Sequence, residues 1–253
     1  MTIPLVFLRH GQSVWNQQRR FTGWADVGLS PTGRTEAETA GRLLKRANYR
    51  FDVCFTSVLQ RARQTLDIVL NSLGQSRLPV QTSWRLNERH YGALEGLSRV
   101  DAAERYSPRQ VTLWQQHFDI CPPPLDPGDR RFPGHDPRYR QLAAADLPRT
   151  ESLRDVRARV LPYWQDTILP RLQAGQRVLV VAHGNSLRAL MTYLDGVPEA
   201  TIPKIKRPLT GEPLVYEFDL SGQPLGRFYL RRSPKLHRWM RSAFGSTPSP
   251  SPD

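Results

Sequence analysis

Short apolar runs alternate with longer amphipathic segments along the chain. The runs are rich in β-branched residues and are bounded by polar or turn residues, which is typical of buried strands in a parallel sheet. Because strands and helices alternate, the sequence predicts an α/β fold of three layers, a mostly parallel, doubly wound sheet with helices on both faces. The predicted strands are "IPLVFL" (3–8), "FDVCFTS" (51–57), "RVLVVA" (177–182) and "LVYEFDL" (214–220).

Helical periodicity covers three of the segments between these strands. In the first of them Ser30 is a candidate N-cap, and Pro31 occupies the first helical position, where its missing N–H costs nothing. The third contains Pro162 and Pro170, which predict a bend or a split because proline cannot donate the helical hydrogen bond. The three predicted helices cover residues 30–47, 57–73 and 151–172.

Residues 92–150 differ from this alternating pattern. They have a helical start followed by "CPPPLDPGDRRFPGHDPRY" (121–139), which is too rich in proline for regular structure. We expect this segment to be a lid-like insertion that covers a functional site, within one domain spanning residues 1–232. Residues 233–253 are basic and then rich in proline and serine, so we expect a tail that is disordered at its end.

Composition predicts a folded cytoplasmic protein. Hydrophobic residues make up 39% of the 253 positions, and no apolar run approaches the roughly 20 residues that a membrane-spanning helix needs. Cys54 and Cys121 form neither a disulfide framework nor a metal-binding spacing, which favours a reducing compartment. The net charge of +13 suits an anionic ligand, although a basic surface without a dedicated partner explains the charge equally well.

Two of the predicted strands end in a histidine followed by glycine, in "FLRHGQS" and "VVAHGNS". Ligands of open parallel sheets bind beyond the carboxyl ends of the strands. If these two strands are neighbours, His10 and His183 meet over one small volume. Gly11 and Gly184 allow the backbone N–H groups that follow to approach an anion closely. The sequence therefore predicts an anion site at this edge of the sheet.

Several motifs in order along residues 3–230 resemble the cofactor-dependent phosphoglycerate mutases of the histidine phosphatase superfamily. "LRHGQSVWN" marks the superfamily, whereas "LNERHYGALEG" and "PGHDPRY" are more specific to the mutase branch. The resemblance also rests on "FTGWADVGLS", "TSVLQRARQT", "RTESLRD", "VAHGNSLRAL" and "TGEPLVYE". It implies interconversion of 2- and 3-phosphoglycerate through a phosphohistidine, with 2,3-bisphosphoglycerate as the phosphoryl primer.

The resemblance also implies a role for each residue of the candidate catalytic set. His10 would be the nucleophile, and a neutral imidazole suits this role near neutral pH. Arg9 and Arg61 would hold the phosphoryl oxygens with planar guanidinium groups, and His183 would add a further donor. Glu88 would be the general acid and base, a role that needs a raised pKa, from burial or from nearby phosphate charge.

Further residues are implied to bind substrate. No metal motif accompanies them, so we expect no metal, and we expect a small phosphorylated anion as the partner rather than nucleic acid or membrane. The family implies a possible homodimer or homotetramer. The implied substrate-binding residues are Ser13, Asn16, Thr22, Gly23, Arg61, Glu88, Arg89, His90, Tyr91, Arg99, Gln115, Gln116, Gly184 and Asn185.

The chain departs from the mutase pattern in "LWQQHFD". Gln115 and Gln116 stand where the family has two arginines implied in binding the anionic end of the substrate, while Arg99 replaces a lysine and keeps its charge. Each lost charged hydrogen bond costs about 1.5–3 kcal/mol. This departure supports an alternative, a phosphatase in which water accepts the phosphoryl group. A third alternative is a polyanion-binding protein without turnover.

Overall fold

The structure is a computed structural model that describes residues 2–231. Met1 and residues 232–253 lie outside the described part, and so does the tail predicted from residue 233. The strands are β1 (Ile3–Arg9), β2 (Val53–Thr56), β3 (Val80–Thr82), β4 (Val178–Ala182), β5 (Leu214–Phe218) and β6 (Pro224–Tyr229). The α-helices are α1 (Val14–Gln17), α2 (Pro31–Arg46), α3 (Gln60–Leu73), α4 (Arg99–Tyr106), α5 (Pro108–Gln116), α6 (Leu153–Tyr163), α7 (Leu169–Gln173) and α8 (Gly184–Leu194).

Within residues 2–231 the strands form one six-stranded sheet in the order β3-β2-β4-β1-β5-β6. The first four strands in this order are parallel, whereas β5 is antiparallel to β1 and β6 is antiparallel to β5. All four predicted strands are confirmed. The prediction omitted β3 and β6, since β3 is a largely exposed three-residue strand and β6 contains Gly226 among partly buried positions.

Both faces of the sheet are buried, as the prediction of a doubly wound sheet requires. Leu5 and Phe7 of β1 face the layer formed by α6, α7 and α8. The alternate residues Val6 and Leu8 face α2 and α3 on the other side. The strands therefore read as continuous apolar runs because neither face meets solvent. The predicted three-layer α/β architecture is confirmed.

The predicted N-cap occurs, and the third predicted helix is interrupted just before Pro170, whereas Pro162 lies inside α6 without ending it. Ser30 caps α2 by accepting a hydrogen bond from the amide of Gly33 at 3.1 Å. The predicted helix over 151–172 is split into α6 and α7 by a π-helical turn at Trp164–Ile168. Pro170 removes the amide that an uninterrupted α-helix would donate to the carbonyl of Asp166. No helix in the described part of the chain is both long and apolar enough to cross a bilayer.

The segment 92–150 contains α4 and α5, followed by short 3-10 turns in its proline-rich part. It has a small apolar cluster of its own, separate from the two layers that flank the sheet. In this cluster Val111 and Trp114 of α5 pack with Phe21 and Tyr91, which belong to the site described next. The insertion is thereby fixed beside the carboxyl edge of the sheet.

Candidate active site

The candidate site lies at the carboxyl ends of the neighbouring parallel strands β1 and β4. The chain runs from β1 outward to β2 and β3, then returns to place β4 between β2 and β1. Such a reversal is where open α/β sheets bind ligands. His10 follows β1 and His183 follows β4, and their ring centroids are 4.9 Å apart. The predicted convergence of the two imidazoles is confirmed.

The two glycines that follow the histidines are required by close packing. A Cβ on Gly11 would lie 2.2 Å from the carbonyl oxygen of Gly33 in the first turn of α2, so any side chain would clash with backbone. A Cβ on Gly184 would lie 3.0 Å from Cδ of Arg207 and 3.3 Å from Nε of Arg9. Gly11 thus allows the loop after β1 to pack against α2, and Gly184 leaves space for the side chains of Arg207 and Arg9.

The surroundings of His10 keep its ring neutral and orient it. The ring is buried, and its Nδ1 lies 2.7 Å from the carbonyl oxygen of Gly11. A carbonyl only accepts hydrogen bonds, so Nδ1 carries the proton and Nε2 keeps its lone pair. Burial, then the charges of Arg61 and Arg9, lower the pKa of His10 well below its ordinary value. Nε2 is therefore an available nucleophile at neutral pH.

His183 is neutral as well. Its Nε2 lies 2.6 Å from Oγ of Ser57, and that oxygen also accepts the amide N–H of Leu59 at 3.2 Å. Burial, then the charge of Arg61, lower the pKa of His183 well below its ordinary value. Among residues 2–231 its buried Nδ1 has no hydrogen-bond partner. The ring of His183 can therefore bind an anion only as a neutral hydrogen-bond donor and not as an imidazolium.

Arg61 is held in place by the backbone of a neighbouring loop. Its Nη1 donates to the carbonyl of Ala25 at 2.9 Å and its Nη2 donates to that of Gly23 at 2.8 Å. Burial lowers the pKa of Arg61 to about 10, so the group stays charged at neutral pH. Arg9 is fixed similarly, since its Nη1 donates to the carbonyl of Pro208 at 3.2 Å.

Glu88 is a carboxylate in the free protein. Its Oε1 accepts the amide N–H of Arg89 at 2.8 Å and both the amide and the side-chain N–H of Asn185, at 3.0 and 2.9 Å. Burial raises the pKa of Glu88, but the Arg89 amide and the charges of Arg207 and Arg9 outweigh it, and the pKa lies below its ordinary value. The raised pKa that the acid role needs is therefore absent from the free protein.

This lowered pKa depends on positive charge that an anion would offset. A phosphoryl group bound among the guanidinium groups would weaken their effect on Glu88, and burial would then raise its pKa toward protonation. The same carboxyl group can thus accept a proton when the site is free of anions and hold one when an anion is bound.

The side chains enclose a cavity of about 50 Å³. Gln115 of α5 forms part of its wall, whereas Gln116 is exposed and does not line it. The predicted site residues that line the cavity are Arg9, His10, Asn16, Thr22, Gly23, Arg61, Glu88, Tyr91, Arg99 and Gln115. The lining residues that the sequence did not predict are Arg20, Phe21 and Arg207.

Other predicted site residues lie behind this wall. Ser13 caps α1 by accepting the amide N–H of Asn16 at 3.1 Å. Arg89 is buried, donates to the carbonyl of Trp114 at 2.7 Å and lies over the ring of Tyr91. His183, Gly184 and Asn185 pack around His10, Arg207 and Glu88 as described above.

His90 also lies behind the wall. It is fully buried, its Nδ1 accepts the amide N–H of Gly92, and burial lowers its pKa to about 3. Nearby Glu95, which the sequence did not single out, accepts the amide N–H groups of Trp24 and Tyr91 through one oxygen at 2.9 and 3.0 Å. Burial raises the pKa of Glu95 to about 8. These two residues support the loops that carry lining residues and do not reach the cavity.

A buried ion pair supports the backbone that carries Glu88. Arg159 of α6 bonds both oxygens of Glu151, at 2.6 and 2.9 Å, and donates to the carbonyls of Arg85, Asn87 and Glu88. Glu151 also accepts the amide N–H of residue 90 at 2.7 Å. Glu151 lies in the recognised motif "RTESLRD", whereas Arg159 was marked only by its place on a predicted helix.

We expect Arg159→Met to lower the free energy of unfolding by about 3–5 kcal/mol, since it leaves the Glu151 carboxylate buried without its partner. Urea denaturation measures this change. Arg177→Met is the matched control, because the exposed pair of Arg177 with Asp52 contributes about 0–1 kcal/mol. Equal losses in the two variants would contradict the assignment.

Within residues 2–231, no group of three or more histidine, cysteine, aspartate or glutamate side chains is placed to hold a metal ion. The polar atoms at the cavity are instead guanidinium, imidazole and amide donors around one carboxylate.

A neutral histidine, fixed guanidinium groups and a buried carboxylate at the carboxyl edge of an α/β sheet together define a phosphoryl-transfer site. A comparison with known families agrees. The model of the histidine phosphatase superfamily (branch 1) matches residues 5–223, and the chain belongs to this superfamily of phosphoryl-transfer enzymes.

Solved structures of similar fold cover nearly the whole chain. YhfR of Bacillus stearothermophilus is 26% identical over 88% of this chain and 94% of its own, with a TM-score of 0.67. A structure named mycobacterial hydrolase 1 is 25% identical over 86% and 91%, with a TM-score of 0.65. A mycobacterial glucosyl-3-phosphoglycerate phosphatase in complex with VO3 is 24% identical over 90% and 97%, with a TM-score of 0.68, and supports the fold alone.

Proposed function

We propose that the protein moves a phosphoryl group from a small, multiply anionic phosphate ester onto Nε2 of His10. The observation that carries this proposal is the lining of one cavity by five arginines, one carboxylate and His10. A single phosphoryl group carries at most two negative charges, so the remaining guanidinium groups favour a substrate with a second anionic group. Phosphoglycerates, which carry a carboxylate beside the phosphate, meet this requirement.

The transfer uses groups whose positions are given above. A bond forms between Nε2 of His10 and phosphorus while the bond from phosphorus to the ester oxygen breaks. Arg9 and Arg61 offset the charge on the phosphoryl oxygens, and Glu88 gives its proton to the departing oxygen. In the second half of the cycle the oxygen of the accepting hydroxyl group forms a bond to phosphorus while the bond between phosphorus and Nε2 of His10 breaks. The electron pair of that bond returns to the imidazole, and the hydroxyl proton passes to Glu88.

We propose that the accepting group is the hydroxyl of phosphoglycerate that carries no phosphate. The protein would then be a phosphoglycerate mutase. The mutase-like segments "LNERHYGALEG" and "PGHDPRY" support this choice. 2,3-Bisphosphoglycerate, when bound, would supply the first phosphoryl group. The residues fit such a primer, since Arg9 and Arg61 would hold one phosphate while Arg20, Arg99 and Arg207 remain for the other anionic groups.

A second candidate is a phosphatase, in which water takes the phosphoryl group from His10. Gln115 favours it, because this cavity wall lacks the arginine implied by the mutase resemblance. The named activities of the solved neighbours are also those of phosphatases, including one for glucosyl-3-phosphoglycerate and one for α-ribazole phosphate. On named activities the comparisons favour this candidate over the mutase.

One experiment separates the two candidates. Purified protein is primed with 2,3-bisphosphoglycerate and given 2- or 3-phosphoglycerate, and isomer exchange and phosphate release are followed together by ³¹P NMR. We expect exchange to exceed phosphate release by at least about tenfold. Phosphate release without exchange would replace the mutase by the phosphatase, and the absence of both would overturn the proposed substrate class.

A further inference from the structure

Arg207 lines the cavity from the first part of a loop, which lies just before the recognised motif "TGEPLVYE". The loop connects the 3-10 helix at Glu199–Lys204 to β5. Pro208 accepts a hydrogen bond from Arg9, and the amide of Gly211 donates to the carbonyl of Arg9 at 3.2 Å. The end of β1 therefore fixes this loop, and Arg207 has a defined place beside Arg9.

The side chains of Arg207 and Arg9 both pass close to Gly184, and their charges interact. Gly184 lets both side chains through, as described above, and the charge of Arg207 lowers the pKa of Arg9 in addition to the effect of burial. Arg207 also interacts with Tyr91 and with Glu88. These interactions raise the pKa of Arg207, and the effect of Tyr91 is the largest. Arg207 and Arg9 carry two positive charges, and Glu88 carries one negative charge. An incoming anion would offset the net positive charge of these three groups.

Gln115, which forms part of the cavity wall, carries no such charge. The mutase resemblance implies an arginine there for the anionic end of the substrate, and a glutamine provides only neutral hydrogen bonds. Arg207 contributes a guanidinium to the same cavity from the loop before β5. The cavity thus retains a cation for a second anionic group, supplied by another element of the fold.

We infer that Arg207 selects substrates that carry a second anionic group, a carboxylate or a second phosphate, next to the phosphoryl group transferred to His10. This inference rests on the proposed function, because it concerns the same cavity and the same transfer. It assigns to Arg207 the binding role that the resemblance implies for an arginine at position 115.

The test compares phosphoryl donors that share a carbon skeleton. Glycerol 3-phosphate lacks the second anionic group, 3-phosphoglycerate adds a carboxylate, and 2,3-bisphosphoglycerate adds a further phosphate. We expect Arg207→Gln to lower kcat/KM for labelling of His10 by about 10- to 100-fold with the two multiply anionic donors. With glycerol 3-phosphate we expect a loss of about threefold or less. Loss with both of these donors assigns Arg207 to the carboxylate that they share, and loss with 2,3-bisphosphoglycerate alone assigns it to the second phosphate.

Three further variants sharpen this test. Lys206→Gln, at the exposed neighbouring position, should leave all three rates unchanged. Gln115→Arg in the Arg207→Gln background should recover most of the lost selectivity, because it returns a guanidinium to the cavity. Should Arg207→Gln not fold, Arg207→Lys keeps the charge without the planar fork and should show a smaller loss limited to the multiply anionic donors.

Two outcomes would overturn the inference, and they differ from failure of the proposed function. Equal losses with all donors would show that Arg207 acts on the transferred phosphoryl group or on the fold. No loss with any donor would show that Arg207 does not contact the substrate. If the unaltered protein labels His10 from none of the donors, the proposed function itself fails.

Discussion

Replacing His10 by alanine abolishes the phosphorylated enzyme and lowers kcat by at least about 10⁴-fold, because no other group takes over the role of a lost nucleophile. The expectation follows from the neutral ring and the lone pair on Nε2, which the carbonyl of Gly11 leaves free. Intact-protein mass spectrometry after mixing with 2,3-bisphosphoglycerate detects the phosphoryl adduct, and steady-state assays give kcat.

The control for this prediction is His117→Ala. His117 is exposed at the end of α5 and does not line the cavity, so its replacement should leave labelling and kcat unchanged within about twofold. Circular dichroism of both variants verifies that the fold is kept. An alanine variant at position 10 that still forms a phosphoryl adduct would rule out His10 as the nucleophile.

Replacing Glu88 by glutamine should lower kcat about 10²- to 10⁴-fold with alkyl phosphates such as phosphoglycerate, because the departing alkoxide then lacks its proton donor. With p-nitrophenyl phosphate, whose leaving group needs no proton, the loss should be about tenfold or less. Steady-state rates with the two substrates give the comparison. Glu38→Gln, in an exposed ion pair of α2, is the control and should change neither rate. Equal losses with both substrates would remove the acid role.

The lowered pKa of Glu88 gives this prediction a pH signature. Glu88 is ionised at neutral pH in the free protein, so we expect proton uptake if bound phosphate offsets the arginine charges and raises this pKa. Calorimetric titration with inorganic phosphate in buffers of different ionisation enthalpy measures this uptake. The uptake should disappear in Glu88→Gln and persist in Glu38→Gln.

The sequence was sufficient to predict the position of the site. His10 and His183 each follow a buried strand and precede a glycine, and parallel strands bring such residues to one edge. The same rule finds Ser57, which directly follows β2 and bonds His183, although we did not apply it there. Residues at strand ends are predictable because the sheet itself places them.

Residues on loops were not predictable in the same way. Arg207 lies outside the recognised motifs, in a loop without periodicity, and enters the cavity through contacts with Arg9 that only the folded chain reveals. The lowered pKa of Glu88 in the free protein was not predictable for the same reason, since it depends on the Arg89 amide and on guanidinium groups from three separate segments. Short or partly exposed strands such as β3 were missed because they carry no apolar pattern.

The hydrogen bonds from Arg61 to the backbone affect how the protein binds an anion. Two of the five N–H groups of this guanidinium are bonded to the carbonyls of Gly23 and Ala25 before any ligand arrives. These hydrogen bonds already restrict the side-chain torsions of Arg61 in the folded protein. Binding of an anion therefore removes little further side-chain entropy. Arg61 is therefore already positioned when an anion binds.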